Sequence, residues 1–256
     1  MAAVRHGSGH SAWVVEPWSW DWEVPVPYLV RPSPRPLRGP VILPDGPRDR
    51  HEPATVWEHA DTVPLVRALG GAPGEDPAVA SARLTAAHRT DVVVLARRGR
   101  GSLVAELLDV AVPSGWDPRE RAGHSLPELH APVGGNERLQ EAAPQITEMI
   151  LTRGPFEMFV WGLQADARIA RWPGPQDWPD DPREWWLRVE RQVTVPLPHL
   201  DRALFWLRPC VQRVGELPPE QHARLTDAIA SMTPENLAYK GFPERAAQRL
   251  LAARLD

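Results

Sequence analysis

Few side chains in this sequence combine a reactive type with a suggestive setting. The stretch "VPSGWDPRERAGHSLPELHAPV", residues 112–133, carries His124 and His130 six apart, and His130 falls just before Ala131-Pro132. A neutral imidazole there could ligate a metal, because histidine offers an uncharged nitrogen donor near neutral pH. It could equally cap the turn and hydrogen-bond the backbone. Glu120 and His124 have helical i, i+4 spacing, but two ligands do not make a zinc site. Cys210 is the single cysteine, which excludes an intramolecular disulfide, a cysteine-rich zinc site and a cysteine-ligated cluster. Cys210 could supply a thiolate, although a lone strand cysteine is more often a small buried hydrophobe.

Other chemistry is excluded by motif. There is no P-loop, no His-Glu-x-x-His helix, no Gly-x-Ser-x-Gly elbow and no dinucleotide fingerprint. The net charge is −4, and the scattered arginines argue against a nucleic-acid partner. No apolar run reaches the length of a membrane span, and the N-terminus lacks a signal-like core. A soluble cytoplasmic protein is expected.

The elements that must position these residues can be read from periodicity. Residues 91–98 and 102–112 read as a hairpin turning at "GRG", with helices near 61–90 before it. Short helices cover "WDPRERAG" and "SLPELHAP", and a longer one kinked near Pro144 covers "NERLQEAAPQITEMILTRG". Strands follow at 155–164, 184–195 and 203–214, then two amphipathic helices. Two strands, inserted helices and three strands give an α+β antiparallel sheet with the order of a PAS-type domain. Residues 61–256 form this domain. Residues 1–60 form a Pro/Trp-rich arm, with Trp18, Trp20 and Trp22 at period two and prolines that forbid helix over 24–47. That arm is expected to pack on its own domain; the alternative is a docking ligand for a proline-binding module.

The opening stretch resembles the alpha-subunit family of heme-dependent oxidative N-demethylases. Pro113, Ser114, Trp116, Glu120, Arg121, Gly123, Leu126, Leu129, His130, Pro132 and Val133 carry the likeness. A second block spans Arg188–Gln192, Leu197, Pro198, Phe205 and Arg208, and a third is "AYKG" at 238–241. The resemblance implies a PAS-like domain holding heme b, a small-molecule substrate, and a separate reductase or electron donor. His130 is the expected metal ligand. His124, where the family has another residue type, is expected on the surface.

Strand alternation adds candidate positions. Arg188, Glu190 and Gln192 share one face; Arg191 lies on the other. Leu204, Trp206, Arg208, Cys210 and Gln212 align on the last strand. Glu190 and Arg208 are expected to share the cavity face, where they could pair; Arg208, with Arg191, could instead bind the cofactor propionates. A solvated cross-strand pair is the plainer alternative. Met158, Val160 and Gly162 stand where the family places polar groups, and Cys210 replaces an expected tyrosine. With Glu190 these residues form the expected substrate pocket. The expected function is oxidation of a small, relatively apolar substrate, diverged from small alkylamines, in specialised metabolite biosynthesis. The other class kept open is a non-catalytic heme-binding or sensing module.

Overall fold

The structure is a computed structural model. It describes residues 22–28, 34–42, 54–56, 66, 68–72, 74–86, 90–98, 102–133 and 140–253. Trp18, Trp20, the 99–101 turn and most of the first helical stretch near residue 65 lie outside these.

Among the described residues, seven strands form one antiparallel sheet, so the α+β expectation holds. They are β1 (Arg35–Pro36), β2 (Ala54–Val56), β3 (Asp91–Arg98), β4 (Ser102–Val110), β5 (Phe156–Gln164), β6 (Trp186–Leu197) and β7 (Arg202–Arg213). The order is β1-β5-β6-β7-β3-β4-β2. The five long strands therefore lie second, first, fifth, fourth, third. Their β-branched runs suit a pleated, buried surface; "DVVVLA" of β3 is buried without a break.

The helices are α1 (Pro77–Ala86), α2 (Leu126–His130), α3 (Ala143–Thr152), α4 (Pro219–Ala230), α5 (Pro234–Lys240) and α6 (Ala246–Ala252). Asp76 accepts the Ala78 N–H at 2.8 Å, an Asx cap that starts α1 at Pro77. Residues 140–141 are helical, Ala142 is a turn and α3 starts at Ala143 with Pro144 in its first turn, so the helical run breaks beside Pro144 as expected. Helix α5 was not expected from periodicity.

The two sheet faces are covered differently. One takes α1, α4, α6 and the described arm. Trp161, Leu187, Val189 and Cys210 pack there against Leu225, Ile229 and Leu250, and Val92, Val94 and Trp206 pack against Leu69 and Ala80. Asp109 pins α1 from below, accepting from Ser81 Oγ (3.0 Å) and Thr85 Oγ1 (2.7 Å). The arm lies on this face too: Trp22 stacks on Phe159 with ring centroids 5.9 Å apart, Val24 is fully buried, and Arg224 Nε donates to the Val24 carbonyl at 3.0 Å. The other face takes the inserted segment. Val93, Leu108, Ile150, Leu151 and Leu207 form its core, with Trp116, Leu126 and Leu129 against it.

Candidate functional site

Register decides which expected site residues meet. Directly opposed residues on neighbouring antiparallel strands share a face. Met158 pairs with Gln192, Val160 with Glu190 and Gly162 with Arg188; on the other flank Glu190 faces Pro209. These residues share the face of the inserted segment. Arg191 opposes Arg208 and Val189 opposes Cys210, on the opposite face. The expected Glu190–Arg208 pair does not exist. Alternation fixes the phase within a strand but not between strands, and here the phase is one residue from that expected.

The misplaced residues have structural partners. Arg191 Nε donates to Glu157 Oε2 at 3.1 Å, and its two Nη atoms donate to the carbonyls of Val41 and Pro40 at 3.3 and 3.0 Å. It ties the arm to the sheet, far from the inserted segment. Arg208 is buried beside it, where desolvation pushes its pKa down to about 10. Cys210 is fully buried in the arm-side core, and burial pushes its thiol up to about 12. A group so unwilling to ionise is a hydrophobe there, not a thiolate ligand or a pocket residue.

On the inserted-segment face, β5 and β6 leave a half-exposed patch. Met158, Val160, Gly162, Glu190 and Gln192 are each partly open, while Leu187, Val189, Arg191 and Val193 between them on the other face are buried. A Cβ built on Gly162 would meet nothing within 4 Å, so there is open space above the strand at that point. Gln192 Nε2 donates to Glu190 Oε1 at 2.7 Å, and Arg188 Nη2 lies 3.7 Å from Glu190 Oε2. Glu190 is thus neutralised by Arg188, its neighbour on the same strand.

His130 is placed by α2. Gly123 and His124 pair with Ala105 on the edge of β4, and the chain then turns at Ser125. Ser125 accepts from the Glu128 N–H, and the Glu128 carboxylate accepts from the Ser125 N–H at 2.7 Å, a reciprocal cap. Leu126, Leu129 and His130 fall at i, i+3 and i+4, one stripe of the helix. The two leucines pack on the sheet, so His130 lies on the sheet-facing stripe at the helix end. Its Nδ1 is 2.8 Å from the Leu126 carbonyl. A carbonyl only accepts, so in the neutral ring Nδ1 carries the proton and Nε2 carries the lone pair. Capping the turn and presenting a ligand nitrogen are therefore compatible. His124 is half-buried instead of on the surface, and its Nδ1 is buried without a hydrogen-bond partner.

A family model for haem-dependent oxidative N-demethylases, alpha subunit-like, matches residues 68–250. The chain belongs to this family. The match covers the five long strands, α1 to α5 and most of α6, and begins after the Pro/Trp-rich arm. No curated protein matches the chain. The family description supplies haem dependence and an oxidative reaction. The described residues contain no group of three His, Cys, Asp or Glu side chains able to hold a metal ion on their own, and none of their helices is long and apolar enough to cross a membrane. One histidine with a fixed tautomer fits a haem iron, whose remaining in-plane donors come from the porphyrin.

Sequence reasoning missed the basic end of the patch. Arg188 sends one Nη to the Ile169 carbonyl and the other to the Val112 carbonyl at 3.0 Å, bolting two loops to β6. Arg171 bonds the Ser114 carbonyl at 3.2 Å, and its guanidinium lies 2.6 Å from where a Gly115 Cβ would stand. With φ at +83°, Gly115 is required both for its backbone and for its missing side chain. Lys240 donates to the Trp161 carbonyl at 2.6 Å and sits over the Tyr28 and Trp161 rings at 5.3 and 5.4 Å. Desolvation first, then the Arg171 charge, lowers its pKa to about 8. The available signal was the "AYKG" block, which contains the only lysine in the chain.

Proposed function

We propose that the protein binds haem b over the half-exposed patch of β5 and β6, with His130 as the residue that would hold its iron, and oxidises a small, largely apolar organic molecule. The observation that carries this reading is His130 itself: on a helix stripe facing the sheet, its ring is oriented by the Nδ1 contact to the Leu126 carbonyl, the backbone-held imidazole usual among metal-ligating histidines. The strand order and the helices inserted between the second and third long strands support a PAS-like fold with its ligand between those layers.

Bound haem would supply the redox chemistry. The chain's own residues would do the rest. The Leu126 carbonyl orients the imidazole. Met158 and Val160 give an apolar floor that excludes water from the substrate. Gly162 leaves room above β5. Glu190, held by Gln192 and Arg188, is not available as an unpaired anion for an alkylammonium, and desolvating that cation without an acceptor costs several kcal/mol. Met158, Val160 and Gly162 therefore favour a neutral or apolar substrate over dimethylamine. Electrons for an oxygen-dependent reaction would come from a separate reductase, in keeping with an alpha-subunit role, and the cytoplasm is the compartment proposed.

The test is a spectral titration of haem-loaded protein. Dimethylamine should leave the Soret band unmoved, and bulkier apolar ligands should shift it saturably. Saturable shifts with small alkylamines alone would return the protein to amine demethylation. Loss of the polar groups at 158, 160 and 162 also suits a haem sensor without turnover; ligand-induced shifts with no oxidised product under reducing conditions would select that reading.

A further inference from the structure

Two arginines lie near the end of the patch at Gly162, and a lysine lies at the same end of β5 over the arm-side Trp161 and Tyr28 rings. Arg188 is the direct cross-strand neighbour of Gly162 on the same face. Lys240 holds the carbonyl of Trp161, one residue before it. Arg171 and Arg188 bond the neighbouring carbonyls of Ser114 and Val112; after desolvation, the Arg171 charge lowers the pKa of Lys240 and the Arg188 charge lowers that of Arg171. The acidic groups nearby are already engaged. Glu190 serves Gln192 and Arg188. Asp166 accepts Arg168 Nε at 2.8 Å. Asp91 accepts the Ala111 and Val112 N–H groups at 3.0 and 3.1 Å. Two donors are left over: Arg171 Nε and Arg188 Nε are both buried and have no hydrogen-bond partner. A buried guanidinium N–H without an acceptor is costly, and Arg171 and Arg188 each carry one.

We propose that Arg171 and Arg188 form, beside the open space above Gly162, a binding site for a ligand carboxylate. A carboxylate is acceptor-only and matches guanidinium N–H donors in charge and geometry. Gly115 is part of the site, since any side chain there would push Arg171 out of its seat. Two ligands could bring the group: a haem propionate, or a substrate acid. The proposal deepens the haem reading for this patch and rests on it only for the propionate source.

The experiment is a titration of haem-free protein with haemin and with haemin dimethyl ester, followed by absorbance, for wild type, Arg171→Ala and Arg171→Lys. Arg171 is the residue to change, because Arg188 also holds two loops. Wild type should bind haemin roughly tenfold or more tighter than the ester, the effect of about one charge-assisted hydrogen bond. Arg171→Ala should bring the two within about twofold, and Arg171→Lys should restore part of the gap. A wild-type preference that survives unchanged in Arg171→Ala overturns the proposal, and the wild-type comparison needs no variant to fold. The second arm titrates benzoate and follows tryptophan fluorescence. If wild type does not prefer haemin, but benzoate binds and Arg171→Ala abolishes that binding, the carboxylate comes from substrate. No preference together with no benzoate binding ends the proposal. If neither porphyrin binds, the haem reading fails by itself, and the benzoate arm on haem-free protein decides the carboxylate site alone.

Discussion

The two faces of the β5–β6–β7 sheet use the same kinds of residue to opposite ends. On the arm side, Arg191 has a carboxylate and two carbonyls, Cys210 and Trp185 are fully buried, Trp22 stacks on Phe159 and Tyr28 meets Trp161 edge-on. On the inserted-segment side, the strands present Met158, Val160 and Glu190 half-open, bare space above Gly162, and guanidinium nitrogens lacking acceptors. On the first face the charged groups are mostly consumed by the fold, although Trp206 Nε1 and Gln212 Oε1 are buried there without hydrogen-bond partners. On the second, two arginine Nε atoms lack acceptors. A charged residue in a strand is therefore a site candidate only once its face and its partners are known.

Substitutions on the arm side should cost the most stability and leave ligand spectra alone. Trp185 is fully buried, donates to the Pro179 carbonyl at 2.8 Å and meets Trp178 edge-on. Trp185→Ala should cost about 3–5 kcal/mol in chemical denaturation. Arg191→Ala removes one of the two arginine partners of the buried Glu157 carboxylate and leaves Arg35 Nε 3.1 Å from Oε1, so it should cost less, about 1–3 kcal/mol. Arg191→Ala and Arg208→Ala should both keep the wild-type Soret position when folded. A shifted Soret band with unchanged stability in either variant would exchange the roles of the two faces.

The converse substitution sharpens the contrast. Gly162→Leu puts a side chain into open space, so its stability should stay within about 1 kcal/mol of wild type. Haem uptake should nevertheless fall, because the leucine occupies the ground the ligand needs. Normal haem uptake by that variant would mean the space above Gly162 is not used.

Lys240 gives an effect that depends on pH and has a definite sign. Its folded pKa is lowered from 10.5 to about 8, so between those values the unfolded chain holds a proton that the folded chain has lost. Stability from this residue therefore rises with pH from about 8 to 10.5, and its desolvation penalty is fully present below pH 8. Cys210 and Tyr28, each pushed up to about 12 from 9.0 and 10.0, act in the opposite direction over an overlapping range. The measurement is thus the difference between wild type and Lys240→Met: the variant should lack the alkaline gain. Parallel stability–pH curves for the two proteins would place the ammonium in solvent.

Much of this architecture was legible in the sequence. A continuous valine-rich run located β3 at its observed bounds, and the Ser125–Glu128 capping box explains why the helix ending at His130 starts where it does. The partition of charged residues between the faces was not legible. Each strand's period of two is written in its own sequence, but the offset between β6 and β7 is set by how both hydrophobic faces are buried at once. One residue of offset moved Arg208 and Cys210 from the expected pocket to the core. Arg171 was hidden for another reason: it lies in a loop without periodicity, and its place depends on a glycine 56 residues earlier in the chain, Gly115. Helix α5 was missed because seven residues give too little periodicity to stand out beside "AYKG".

The central claim is that the inserted-segment face, through His130, holds the haem iron. The most direct measurement is the Soret spectrum of His130→Ala beside wild type, both supplied with haem and both checked for folding, then repeated with added imidazole. The account predicts a weakened or shifted band in the variant, restored toward wild type by imidazole, because removal of the side chain leaves the iron without its nitrogen donor. An unchanged band and unchanged haem affinity in folded His130→Ala would contradict it.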